Sequence, residues 1–114
     1  MTLVQKLDSA LAELSIPFYP GYYEGNGKDY GVYDSITDEP AVFADDDNQA
    51  NVSSCNVHLF VKEDKNKKKK LLIRLLKSAD FSVGTTYEIY ESETGYTHYI
   101  VAVESIGDDE EQEE

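Results

Sequence analysis

The residues whose types and spacing could do chemistry fall into a few groups. Lys67, Lys70, Arg74 and Lys77 recur at three- and four-residue intervals, which places them on one face of a helix. Lysines in a first helical turn oppose the macrodipole, at about 0.3–1 kcal/mol each when exposed. An anionic partner would relieve that local cost. A solvated helix face is the plainest reading. An acidic face of a neighbouring subunit is a second, and DNA phosphate or another anionic ligand a third. Asp45, Asp46 and Asp47, followed by Asn48, form a run of oxygen donors. Calcium takes roughly six to eight oxygens spaced along a turn, usually with a bidentate Glu. A consecutive run fits a polar loop or an inter-subunit contact better than a metal site.

His58 and His98 are the chain's two histidines and Cys55 its one thiol. A nucleophilic Cys–His dyad needs mutual hydrogen-bond reach. Alternation along a strand places Cys55 and His58 on opposite faces, so both histidines read as ordinary sheet residues. Gly25-Asn26-Gly27-Lys28 lacks the spacing and the following helix of a phosphate loop. Neither catalysis, a cofactor nor a metal is expected.

Composition narrows the class. The chain has 114 residues, long enough for one domain. Its formal charge is −13, but the charge is segregated. Eight of the ten Lys and Arg lie between positions 62 and 77, and six of the 23 acids lie in residues 108–114. Without that tail the charge is −7. A generic nucleic-acid binder would be basic overall. No apolar run approaches a membrane span. Residues 2–14 mix Lys6, Asp8 and Glu13 among apolar positions and do not read as a secretory signal. The cytoplasm of the producing cell is the expected first location, with later assembly into a particle left open.

The elements that must position these residues follow from periodicity. Residues 2–14 predict an amphipathic helix with Thr2 and Gln5 as a capping box. Its apolar stripe is Leu3, Leu7, Ala10, Leu11 and Leu14, and Pro17 stops it. Residues 17–29 read as a short edge strand followed by a turn. Asn26-Gly27 is a tight-turn signal, and residues 30–36 a strand returning antiparallel. Residues 37–40 read as a turn, residues 41–44 as a short optional strand, and residues 45–51 as a polar loop. Residues 52–62 alternate most clearly, with Cys55, Val57, Leu59 and Val61 against Ser54, Asn56, His58 and Phe60. A second helix over 66–79 has Leu71, Leu72, Leu75, Leu76 and Ala79 on its apolar arc, with Ile73 outside it. A hairpin of strands 85–91 and 96–106 turns at 92–95, and Gly107 ends it. The tail, 108–114, has nothing apolar to bury and is expected to be disordered.

The order α-β-β-(β)-β-α-β-β predicts a single α+β domain over 1–107. Its sheet is mainly antiparallel, with two helices packed on one face. The other face would be exposed or used in assembly. Nine tyrosines, several of them early in the chain, suit sheet packing or an interface.

These pieces resemble, in order and spacing, the small tail-completion proteins of long-tailed bacteriophages and prophages, the tail terminators or tail-to-head joining proteins. The likeness covers most of residues 2–106. It runs from the first helix through Ile16-Pro17-Phe18-Tyr19-Pro20, Tyr30-Gly31-Val32-Tyr33-Asp34 and Ala41-Val42-Phe43-Ala44-Asp45-Asp46. Val57-His58-Leu59-Phe60-Val61-Lys62-Glu63-Asp64 then leads into the basic helix. Ala79-Asp80-Phe81 precedes the hairpin, with Glu88 and Tyr90 on its first strand and Tyr96-Thr97-His98 opening its second. The acidic tail and the lysine run lie outside the pattern. The resemblance implies a virion structural protein without catalysis. It would form a ring, commonly of six subunits, that caps the tail tube and meets the head connector, with DNA only passing through the lumen. An acidic inhibitor or DNA mimic is the alternative, resting on net charge alone.

Overall fold

A computed structural model describes residues 2–23, 25, 27–40, 50–62 and 66–108. The described residues form an α+β fold, with two α-helices and a five-stranded, mostly antiparallel sheet. Helix α1 spans Leu3–Ala10, and a 3-10 turn follows at Ala12–Leu14. The strands are β1 (Phe18–Pro20), β2 (Tyr30–Pro40), β3 (Ala50–Val61), β4 (Ser82–Glu91) and β5 (Tyr96–Asp108). Helix α2, Lys67–Ser78, connects β3 to β4. Across the sheet the order is β1-β2-β3-β5-β4.

The capping box at Thr2 is complete. The Gln5 amide donates to Thr2 Oγ1 at 3.1 Å, and the Thr2 amide to Gln5 Oε1 at 2.8 Å. The expected single helix to Leu14 is broken instead. It closes at Ala10 and tightens into the 3-10 turn, which ends on left-handed Ser15. The turn still delivers Leu11 and Leu14 to the core. Helix α2 ends without a glycine: Asp80 is left-handed, its amide reaches Lys77 O, and the Phe81 amide reaches Leu76 O. That pattern closes the helix and tucks Phe81 into the core. Ala79, expected on the apolar arc, is exposed, whereas Ile73 is half-buried.

Leu3, Leu7, Leu11 and Leu14 meet Leu72 and Leu76 over the odd residues of β3, Cys55 to Val61, and over Tyr33, Tyr99, Val101 and Val103. Burying such side chains supplies about 1.5–3 kcal/mol each. Tyr33 stacks on Phe18 at 5.2 Å and donates to Asp8 Oδ1 at 2.8 Å. Gly31 lies beneath Phe18 so closely that a Cβ there would sit 2.1 Å from the ring.

Three strand expectations are corrected. First, β1 pairs parallel to β2, with the Gly31 amide donating to Pro17 O and the Gly21 amide to Tyr33 O. Gly21 and Gly27, at φ +90 and +91, let the connection double back rather than form a hairpin. Second, residues 37–40 are strand and not turn. Left-handed Ser35 absorbs one extra residue as a bulge, and pairing resumes from Thr37 opposite Ser54. Third, β5 passes Gly107 to pair Asp108 with Ala50, so the edge of the acidic tail is strand. The optional strand 41–44 and residues 109–114 lie outside the described residues.

The second sheet face, expected to be exposed or used in assembly, is partly covered by the chain itself. Tyr30, Val32 and Tyr96 are buried there, packed with Tyr19, Tyr23 and Phe60. The connection after β1 crosses this face, with Tyr23 stacked on Tyr19 at 3.9 Å. The Tyr96 hydroxyl pins it, accepting from the Gly27 amide at 3.1 Å and donating to Lys28 O at 2.8 Å.

Candidate functional site

The basic residues singled out from sequence separate into two kinds. Lys67, Lys70, Arg74 and Lys77 are exposed. Lys70, Arg74 and Lys77 border a shallow groove around Ile73. Their neighbours find partners inside the domain. Lys68 pairs with Asp29 at 2.5 Å, and Lys69 lies over the Tyr99 ring, 5.4 Å from its centre. Asn66 starts α2 in a left-handed conformation and makes no side-chain cap. Its side-chain oxygen Oδ1 accepts from the Tyr99 hydroxyl at 2.6 Å instead. The lysine-rich first turn is thus partly neutralised within the chain. Asp45, Asp46 and Asp47 lie outside the described residues.

A second site assembles on the open sheet face, from residues that sequence reasoning kept apart. His58 Nδ1 and His98 Nε2 are 2.7 Å from each other. His58 Nε2 is 2.8 Å from Asp34 Oδ1, and His98 Nδ1 is 3.5 Å from Glu91 Oε2. The four side chains come from β2, β3, β5 and β4, so the chain of contacts crosses four strands. Glu91 is oriented by Thr94, whose hydroxyl donates to Oε1 at 3.1 Å.

Register explains the assembly. Asp34 is the last residue of β2 before its bulge. A second bulge, between Val83 and Thr86, shifts the alternation of β4 by one residue. Without it Glu91 would face the helices. Bulges re-aim side chains in this way. The sequence signals were that His58 alternates onto the polar face, and that the turn at 92–95 sets Glu91 opposite Tyr96, two residues from His98. Cys55 lies on the other face, buried, so no dyad forms with His58. Burial pushes the Cys55 thiol up to about 12.

The histidines sit in an aromatic setting. Phe60 stacks on His98 at 4.0 Å and on Tyr30 at 4.5 Å, and Tyr96 meets Tyr30 edge-on at 5.5 Å. Beside them is a hollow of about 480 Å³. Tyr22 and Tyr23 line one side of it, and Asp34 and Glu91 contribute carboxylates. Burial and the adjacent His58 push the pKa of His98 below the ordinary imidazole value, with Glu91 pulling the other way. The ring nitrogens point at one another and at the carboxylates, not at a common centre. Among the described residues no group of three or more His, Cys, Asp or Glu is arranged to hold a metal ion.

Comparison with protein-family models gives no match, and comparison with curated proteins gives none. Among the described residues no helix is long and apolar enough to cross a membrane.

Proposed function

We propose that this chain is a structural assembly protein of a long-tailed phage or prophage, acting at the tail end or head–tail junction. In this reading its copies close into a ring, of six subunits in the assembled state, which stops tube growth and offers a surface to the head connector. The work is stoichiometric and needs no cofactor. Assembly starts in the host cytoplasm and ends in the virion.

One observation carries the reading: the two edges of the sheet differ in character. Among the described residues the outer edge of β4 pairs with no strand, and Tyr87, Ile89 and Tyr90 on it are 60%, 48% and 66% exposed. Helix α2, with its basic face, packs beside this strand. At the opposite side, β1 covers only three residues of β2, Gly31 to Tyr33, and the stretch beyond carries exposed Asp38 and Glu39. A free apolar edge invites pairing with another chain. An apolar, basic edge and an acidic edge on one subunit suit head-to-tail contacts, which close into rings. The arrangement with both helices on one sheet face leaves these edges clear.

Sedimentation and negative-stain electron microscopy of the chain, alone and mixed with tail tubes, test this. Six-fold rings that loosen with salt, and in the charge-reversed pair Lys70→Glu and Arg74→Glu, are the expected result. Rings indifferent to both would overturn the charged interface. A chain that stays monomeric in both settings and blocks a nucleic-acid-binding protein would overturn the assembly reading in favour of an inhibitor.

A further inference from the structure

We infer that two copies of this chain meet through Ile36 of one and Ile73 of the other, with Asp38 facing the Lys70, Arg74 and Lys77 rim. This rests on the head-to-tail reading above and names the contact that makes it.

The bulge in β2 supplies the first half. Ser35 is left-handed, at φ 55, although it is not a glycine. Side-chained residues adopt that region at a cost, and such strain gathers where it has a use. Here it lets Ser35 and Ile36 together oppose the single residue Cys55. Ile36 is thereby held beside the start of α1, 45% exposed. It borders a hollow of about 200 Å³ there, with Thr2, Val4 and Asp38. Asp38 is oriented, because its Oδ1 accepts from Ser53 Oγ at 2.7 Å. A carboxylate has about four acceptor sites, so its second oxygen keeps capacity for a cation. Exposed Glu39 adds a further negative charge to this end of the strand.

Helix α2 carries the counterpart. Lys70, Ile73, Arg74 and Lys77 follow one another at helical spacing and border a groove of about 490 Å³. Ile73 is half-buried and the three cations are exposed. Among the described residues no ion pair engages Lys70, Arg74 or Lys77, whereas Lys68 is held by Asp29. Each patch is therefore an isoleucine beside charge, and the two charges are opposite. Either patch set on itself would bring like charges together, which an interface avoids. Two different patches that fit each other make a head-to-tail contact. DNA phosphate would match the cations but bring nothing apolar to Ile73, and the net charge of −13 repels it. A second copy matches both features.

The test is sedimentation velocity of the full chain over a range of concentrations at physiological ionic strength. Salt at that level screens the general repulsion between copies more than it screens groups in contact. The unaltered chain should self-associate. Ile36→Lys and Ile73→Lys, each checked for folding by circular dichroism, should each weaken association about tenfold or more, by setting like charges together. Mixed in equal amounts, the two variants should form a one-to-one complex and nothing larger, since each keeps one working patch. Arg74→Glu should weaken association as well, and adding Asp38→Arg to the same chain should restore part of it. If Asp38→Arg fails to fold, the mixture decides. An unaltered chain that stays monomeric, folded lysine variants that associate like the unaltered chain, or a mixture without a complex would each overturn the inference. Six-fold rings indifferent to Ile36→Lys would sink this contact and leave the ring reading standing. Pairs or open chains that need Ile36 and Ile73 but never close into rings would uphold the contact and sink the ring.

Discussion

Strand β3 shows two different solutions to burial on its two sides. Toward the helices it presents Cys55, Val57, Leu59 and Val61, each almost wholly buried. Toward the other side it presents Asn56, His58 and Phe60, covered only partly by a tyrosine-rich connection. The first face is filled by aliphatic side chains whose loss leaves cavities. The second is built from rings and polar groups that depend on mutual orientation. Stability is concentrated on one face and chemistry on the other, within one strand.

The sharpest way to break that comparison is to truncate adjacent residues. Leu59→Ala should cost about 2–5 kcal/mol, the range for a buried leucine whose neighbours cannot collapse. Phe60→Ala, one residue away, should cost less because Phe60 is only half-buried, yet it removes the ring stacked on both Tyr30 and His98. Denaturant melts read the first effect, and the tyrosine near-ultraviolet signal should report the second. Equal costs would show that the open face contributes as much to stability as the core.

Next in size is Gly31→Ala. The new methyl would sit 2.1 Å from the Phe18 ring, which must leave its stack on Tyr33. Overpacking of this kind costs about 1–3 kcal/mol. A thermal melt would check it, and Phe18→Ala in the same chain should recover part of the loss by vacating the space. No recovery would place the strain elsewhere.

These cases also show what was legible in the sequence. The α1 cap, the helices, the alternation of β3 and the separation of Cys55 from His58 rest on local spacing, and local spacing is what a sequence displays. The parallel pairing of β1 was hidden because positive φ at Gly21 and Gly27 serves a doubling-back connection as well as a hairpin. The Asp34–His58–His98–Glu91 series was hidden for a different reason. It depends on cross-strand register, and one-residue bulges near Ser35 and Gly84 decide which face the residues around them occupy. Single residues that shift register have no strong signature of their own. The basic face of α2 was readable because helical periodicity alone defines it.

A smaller effect sharpens the account of how the open face is held. Tyr96→Phe removes a hydroxyl that accepts from the Gly27 amide and donates to Lys28 O. Stability should fall by about 1 kcal/mol, the usual net value of such a bond. Hydrogen exchange at Gly27 should quicken while amides of α1 and α2 stay protected. Quickening in the helices as well would mean that the two faces open together.

The pH axis separates the faces with the least intervention. On the helix side, burial raises the pKa values of Tyr33 and Cys55, the latter to about 12. Above the ordinary values of 9.0 for Cys and 10.0 for Tyr the unfolded chain loses protons that the folded chain keeps. Stability therefore falls as pH rises through the alkaline range. On the open side burial and the adjacent His58 depress the folded pKa of His98 below 6.5. Below that value the unfolded chain takes up a proton that the folded chain resists, so stability falls as pH drops, until the folded pKa is passed. This acid limb should be the shallower one, because Glu91 partly opposes the depression. The chain has two histidines and both stand on the open face. His98→Gln should flatten the acid limb and leave the alkaline limb intact in urea melts taken across pH. An unchanged acid limb would move that pH dependence away from His98.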